Sequence, residues 1–273
     1  MGCTILDGCG NIIDKWLGID STWDGKAPRY GHKSSLLWLQ EHPPASLDGL
    51  NLIKDLLAKI HRNWKVAGCL APRSMKNWRF NKQLHIAEHS KSREKILEKA
   101  IVAPAITGDD WANMIPTSAG LTGSEGRHRN IDLAQRDGTS FTFIELKWLT
   151  NNPLFAAMEI LQYGLIYVFS RQNIDQLRYC PEKQPCLTAT HLGLRVLGPT
   201  QFYAPYNVCW LQEALSTGLL RFSKEVKPAM DFAFEVFPLW FGESWFQSRP
   251  EAELKKALKN IHRVCGSSGK KAQ

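Results

Sequence analysis

Between Leu154 and Phe169 the chain runs through sixteen residues in which Glu159 and Gln162 are the only strongly polar side chains. Asn152-Pro153 precedes the run and is good helix-start chemistry, because proline at the first helical position lacks an N–H that would be free anyway. A helix apolar nearly all round is expected where it packs against a sheet. Glu159 and Gln162 stand three apart and share a helix face. Burying them without partners would be costly, so both are predicted to reach a polar site at the end of that sheet.

The segment before this helix reads as a β-hairpin running from Arg129 to Trp148, with Asp137-Gly138 as the turn. Glycine accepts the positive φ that tight hairpin turns require. Strand side chains alternate, so Glu145 and Lys147 project together while Ile144, Leu146 and Trp148 face the other way. Asp132 lies on the first strand. Two carboxylates and a lysine embedded in apolar strands suggest a divalent-metal phosphodiesterase site. A plain cross-strand salt-bridge cluster is the competing reading.

Helix, hairpin, helix and strand, with Asp132 and Glu145-x-Lys147 on the hairpin, resembles the PD-(D/E)XK nuclease superfamily over roughly residues 94–197. The resemblance implies an α/β fold with a restriction-endonuclease-like core, a mixed central β-sheet flanked by helices. It implies Mg²⁺ or Mn²⁺ held by Asp132 and Glu145, and Lys147 beside the scissile phosphate. Many members place a glutamate on the helix before the sheet; Glu98 resembles it, with Glu94 one turn earlier as the rival. Gln162 is similar to the glutamine of RecB-like members, so the expected catalytic set is Asp132, Glu145, Lys147 and Gln162. The expected metal set is Asp132, Glu145 and Glu98. The tyrosine expected further along the helix is replaced by Ile166, with Tyr163 and Tyr167 nearby, and Ile131-Asp132 stands in place of Pro-Asp.

The 273 residues carry a net charge of +8 and a pI near 9.1, which favours polyanionic partners. Arg127, His128, Arg129, Arg79 and Lys82 are the expected nucleic-acid contacts, with DNA as the expected substrate. The stretch from His61 to Lys99 is basic, and Trp64, Trp78 and Phe80 are interleaved with its charges. That mixture suits base stacking with phosphate contacts, or a solvated face whose aromatics pack inward. Residues 1–88 are expected to form a basic, Trp-containing region, 89–265 the nuclease-like domain with a C-terminal extension, and 266–273 a disordered tail.

Helices are further predicted over 50–64, 92–102, 208–220 and 251–264, and strands over 187–197 and 232–237. Seven cysteines without a CxxC pair argue for reduced thiols and a cytoplasmic setting; Cys180 and Cys186 flank a loop and could pair. No signal peptide is evident, and Leu6 stands where myristoylation needs Ser or Thr. No apolar run is expected to span a membrane, residues 160–169 coming closest. A homodimer is left open, since cutting both strands usually calls for two-fold symmetry. Two other functions compete: a nucleic-acid-binding protein with the nuclease fold but no turnover, and a zinc metallopeptidase. The latter rests on His85-Ile86-Ala87-Glu88-His89, which spells H-x-x-E-H.

Overall fold

A computed structural model describes residues 4–19, 30–44, 46–72, 75–85, 92–122 and 129–266. Its centre is a six-stranded mixed, open sheet in the order β1 (Trp111–Pro116), β2 (Asn130–Asp137), β3 (Ser140–Leu146), β4 (His191–Gly198), β5 (Ala229–Val236) and β6 (His262–Arg263). The first three strands are antiparallel neighbours, β3, β4 and β5 run parallel, and β6 closes antiparallel to β5. Asp137 pairs with Ser140 across the hairpin, and Gly138 supplies the turn with φ 56°.

Parallel neighbours need a crossover between them. The helix α6 (Pro153–Gln172) joins β3 to β4, and α8 (Cys209–Phe222) lies between β4 and β5. The Asn152 side chain caps α6 by accepting the N–H of Phe155 at 2.8 Å. By length and composition α6 could cross a membrane, which corrects the expectation that no run is long enough; 89% of that stretch is buried inside the molecule.

Two hydrophobic cores lie on opposite faces of the sheet, as strand alternation requires. One takes Phe141 and Phe143 together with α6, α8, α1 (Cys9–Leu17), α2 (Lys33–Glu41) and α3 (Gly49–Val66). The other takes Ile144, Leu146 and Trp148 with α4 (Arg93–Ile101) and α10 (Glu251–Lys259). The buried residues of α1, α2 and α3 therefore share a core with one face of the sheet. Asp48 caps α3 through the N–H groups of Leu50 and Asn51. Where α3 meets α8, Gly49 and Gly218 touch through their backbones: a Cβ on Gly218 would lie 2.5 Å from the carbonyl carbon of Gly49.

Trp64 and Trp78 are core residues, 4% and 0% exposed, so neither can stack on a base. The indole of Trp78 donates to Ser170 Oγ at 3.0 Å and stacks on Phe143. Phe80 is partly buried against Phe141, with Arg136 over its ring. The inward-packing reading of this basic stretch is the one realised. The expectation of reduced thiols is corrected at one pair: Cys209, which opens α8, is disulfide-bonded to Cys265 beyond β6, whereas Cys180 and Cys186 are free thiols. Their 56-residue separation gives no sequence signal; the pairing of β5 with β6 brings them together.

Candidate active site

The sheet is built irregularly at one point. Met114, in β1, has φ 50° and drops out of the β1–β2 ladder, whose pairs on either side are Asn113 with Leu133 and Ile115 with Ile131. The β2–β3 ladder stops at Leu133 with Ile144. Asp132 is thus the one residue of β2 that belongs to neither ladder. Its carboxylate takes over the missing bond, accepting the N–H of Leu146 at 3.1 Å. A left-handed non-glycine residue inside a strand is uncommon, and here it interrupts the pairing without shifting the register on either side. The residue opposite the interruption is Asp132.

Around it three further carboxylates and two lysines straddle the end of the sheet. From α4, Lys95 extends its ammonium to Glu98 and, at 3.4 Å, to Asp132. Glu98 is 1% exposed and accepts the Asn113 side-chain amide at 2.8 Å. Glu94 does not join them; it accepts the N–H of Trp148 at 2.8 Å and the Thr150 hydroxyl, which holds the loop after β3. On the α6 side, Lys147 donates to Glu145 and lies 3.4 Å from Glu159, which also accepts the Tyr163 hydroxyl at 3.1 Å.

Burial pushes the Glu145 carboxyl well above the usual range, and the negative charges of Asp132 and Glu159 push the same way against Lys147. Burial likewise raises Glu98, with Lys95 opposing. For Lys147 burial favours the neutral amine, but Glu145, Glu159 and Asp132 outweigh it and hold the ammonium above its ordinary value. Lys95 is raised by the same contest, through Asp132 and Glu98. Burial raises the Tyr163 hydroxyl, reinforced by Glu159.

The residues expected at the site divide as follows. Asp132, Glu145, Lys147 and Glu98 come together. Gln162 is on the same helix but turns away, donating to the Met158 carbonyl at 2.9 Å and the Tyr30 hydroxyl at 3.4 Å. Glu159 makes the contact with Lys147 instead. Arg129 is half-buried, and its charge opposes the burial-driven rise of the Tyr30 and Tyr163 hydroxyls. Lys82 is tied to the Gly108 carbonyl and to Asp109. Arg79 donates through Nε to the Met75 carbonyl at 2.8 Å and lines a separate cavity. Arg127, His128, Glu88 and His89 lie outside the described residues, and His85 is exposed. Lys95 and Asn113 were not singled out from sequence; an i,i+3 pairing of Lys95 with Glu98 is the only trace of them there.

Among the described residues no three His, Cys, Asp or Glu side chains converge on a point that would hold a metal ion. Lys95 stands between Glu98 and Asp132, and Lys147 between Glu145 and Glu159. Charge and donor chemistry nevertheless fit a divalent cation. The cluster sets four carboxyl groups, Asp132, Glu145, Glu98 and Glu159, against two lysines. Oε2 of Glu145 is buried with no hydrogen-bond partner among the described residues, a situation that costs a buried polar atom dearly. All the available donors are hard oxygens of the kind Mg²⁺ prefers. Compared with protein-family models, curated proteins and solved structures, the chain matches none.

Proposed function

We propose that this chain is a metal-dependent nuclease of the PD-(D/E)XK type, with a restriction-endonuclease-like core, that hydrolyses phosphodiester bonds in DNA. One observation carries the reading: β2 and β3 part at Asp132 and Glu145, where Lys147 pairs with Oε1 of Glu145 and Oε2 stays buried with no hydrogen-bond partner among the described residues. Helices on the two faces of the sheet add Glu98 and Glu159 to the same end. Asp132, Glu145 and Glu98 would hold Mg²⁺ or Mn²⁺. Bound there, the ion would act as a Lewis acid, lowering the pKa of a water and offsetting charge that grows on the phosphate. Lys147, kept charged by its carboxylate neighbours, places a fixed positive charge beside the reacting phosphate. Glu159 orients that ammonium from α6. Asp132 is itself held by the Leu146 N–H through one oxygen, which directs its other oxygen toward Lys95.

The same lysines also support a second reading, a DNA-binding protein without turnover, because they already pair the carboxylates internally. Incubation with supercoiled and linear DNA and with RNA separates the two, using Mg²⁺, Mn²⁺ or EDTA alongside Lys147→Ala. Cation-dependent cutting that disappears in the variant is expected. Salt-sensitive binding with no cutting under any cation would leave the second reading in its place.

A further inference from the structure

A cavity of about 400 Å³ opens beside the carboxylate cluster, lined by Lys76, Arg79, Asn81, Gln83, Asn113, Met114, Pro116 and Asn130. Its size falls in the range of about 300–1,000 Å³ typical of small-ligand sites. Its chemistry is the reverse of its neighbour's: two cations, four side-chain amides and no carboxylate. Asn113 is the shared wall. It lines the cavity, exchanges hydrogen bonds with the backbone of Gln83 and donates to Glu98 at 2.8 Å.

The backbone beneath the two cations is fixed in advance. The turn that carries them is pinned by Asn77, whose amide reaches the Ala119 carbonyl and the Tyr179 hydroxyl, and by the fully buried Trp78. The Nε of Arg79 is engaged with the Met75 carbonyl, and its terminal nitrogens carry no hydrogen bond among the described residues. Lys76 is exposed and forms no ion pair among them. Arg79, held through its Nε, loses less freedom on binding an anion than a free side chain would.

Resting on the nuclease reading of the adjoining carboxylates, we propose that this cavity is a nucleotide subsite on the DNA strand that enters the site. Lys76 and Arg79 hold its phosphate, while the amides of Asn81 and Gln83 read the edge of its base. Side-chain amides offer a donor and an acceptor together, which is the pairing a base edge presents. The subsite thus makes binding selective for one base beside the reacting phosphate.

Binding measured in EDTA keeps this test apart from catalysis. Fluorescence anisotropy with a fluorescein-labelled oligodeoxynucleotide, titrated across salt, is expected to lose affinity in Arg79→Ala and Lys76→Ala. Each should lower the slope of log K against log salt by about one. Competition by unlabelled dA, dC, dG and dT homopolymers should favour one base over another by about tenfold in the native chain. The double variant Asn81→Ala, Gln83→Ala should flatten that preference without changing the salt slope. Unchanged binding in Arg79→Ala refutes the subsite even if the native chain cuts DNA. A preference untouched by the amide substitutions refutes the base reading. Arg79-dependent binding by a chain that cuts nothing upholds the subsite and refutes the nuclease.

Discussion

Replacing Lys147 by Met removes the cation between Glu145 and Glu159 while keeping much of the side-chain volume. Lys147 and Glu145 side chains are 7% and 5% exposed, so solvent cannot replace the lost ammonium. Taking one partner from a buried pair costs about 3–5 kcal/mol, a large share of a domain's net stability of about 5–15 kcal/mol. The loss should depend on pH with a definite sign. Glu145 titrates above its unfolded value, so its contribution is most favourable below the unfolded pKa and declines as pH rises through the folded one. Without Lys147 the folded value moves higher still, and the deficit of Lys147→Met relative to the native chain should shrink as pH falls from neutral toward the carboxylate range. Urea unfolding followed by circular dichroism, repeated at several pH values, measures this. The double variant Lys147→Met, Glu145→Gln should recover most of the loss, because it leaves no unpaired buried charge. A cost below about 1 kcal/mol, the size of a solvent-exposed pair, with no pH dependence, would sink the reasoning.

Three other perturbations follow from the same geometry. If the carboxylate cluster takes a divalent cation, Mg²⁺ at about 100 times its Kd adds about 2.7 kcal/mol and raises Tm by about 5–10 °C. Differential scanning fluorimetry should record that rise in the native chain and not in Glu145→Gln, and an equal rise in both would place the ion elsewhere. Reducing the Cys209–Cys265 bond releases a loop spanning a 56-residue separation. The chain-entropy model assigns such a loop about 4 kcal/mol, and an unchanged urea midpoint after dithiothreitol treatment would refute that contribution. Gly218→Ala sets a methyl against the backbone of Gly49 and Leu50, neither of which is a flexible tip. A loss of about 1–3 kcal/mol in urea unfolding is expected, and a neutral result would mean that α3 and α8 can separate freely.

Much of the frame was legible because local chemistry and tertiary fate agree. Gly138 turned the hairpin, Asn152-Pro153 opened α6, and the alternation from Ile144 to Trp148 sorted the two faces of β3. Other features depend on docking. Glu159 and Gln162 share one helix face, and only the seating of α6 on the sheet decides that Glu159 meets Lys147. Whether Glu94 or Glu98 faces Asp132 is fixed by how α4 sits, since the two differ by one helical turn. Nothing in methionine announces a left-handed conformation, so Met114 gave no warning of the break that frees Asp132. Trp64 and Trp78 left two readings open because basic neighbours in sequence say little about which way an indole points.

The bond from the Leu146 N–H to Asp132 binds architecture and chemistry to a single side chain. Any experiment that silences Asp132 therefore also edits the sheet. Asp132→Ala would orphan a main-chain donor, and a loss of the proposed cleavage would then be ambiguous between lost chemistry and an unzipped strand. Asp132→Asn keeps an acceptor for Leu146 while discarding the charge. It is the cleaner substitution, and the difference in stability between the two variants measures how far this strand relies on that one side-chain oxygen.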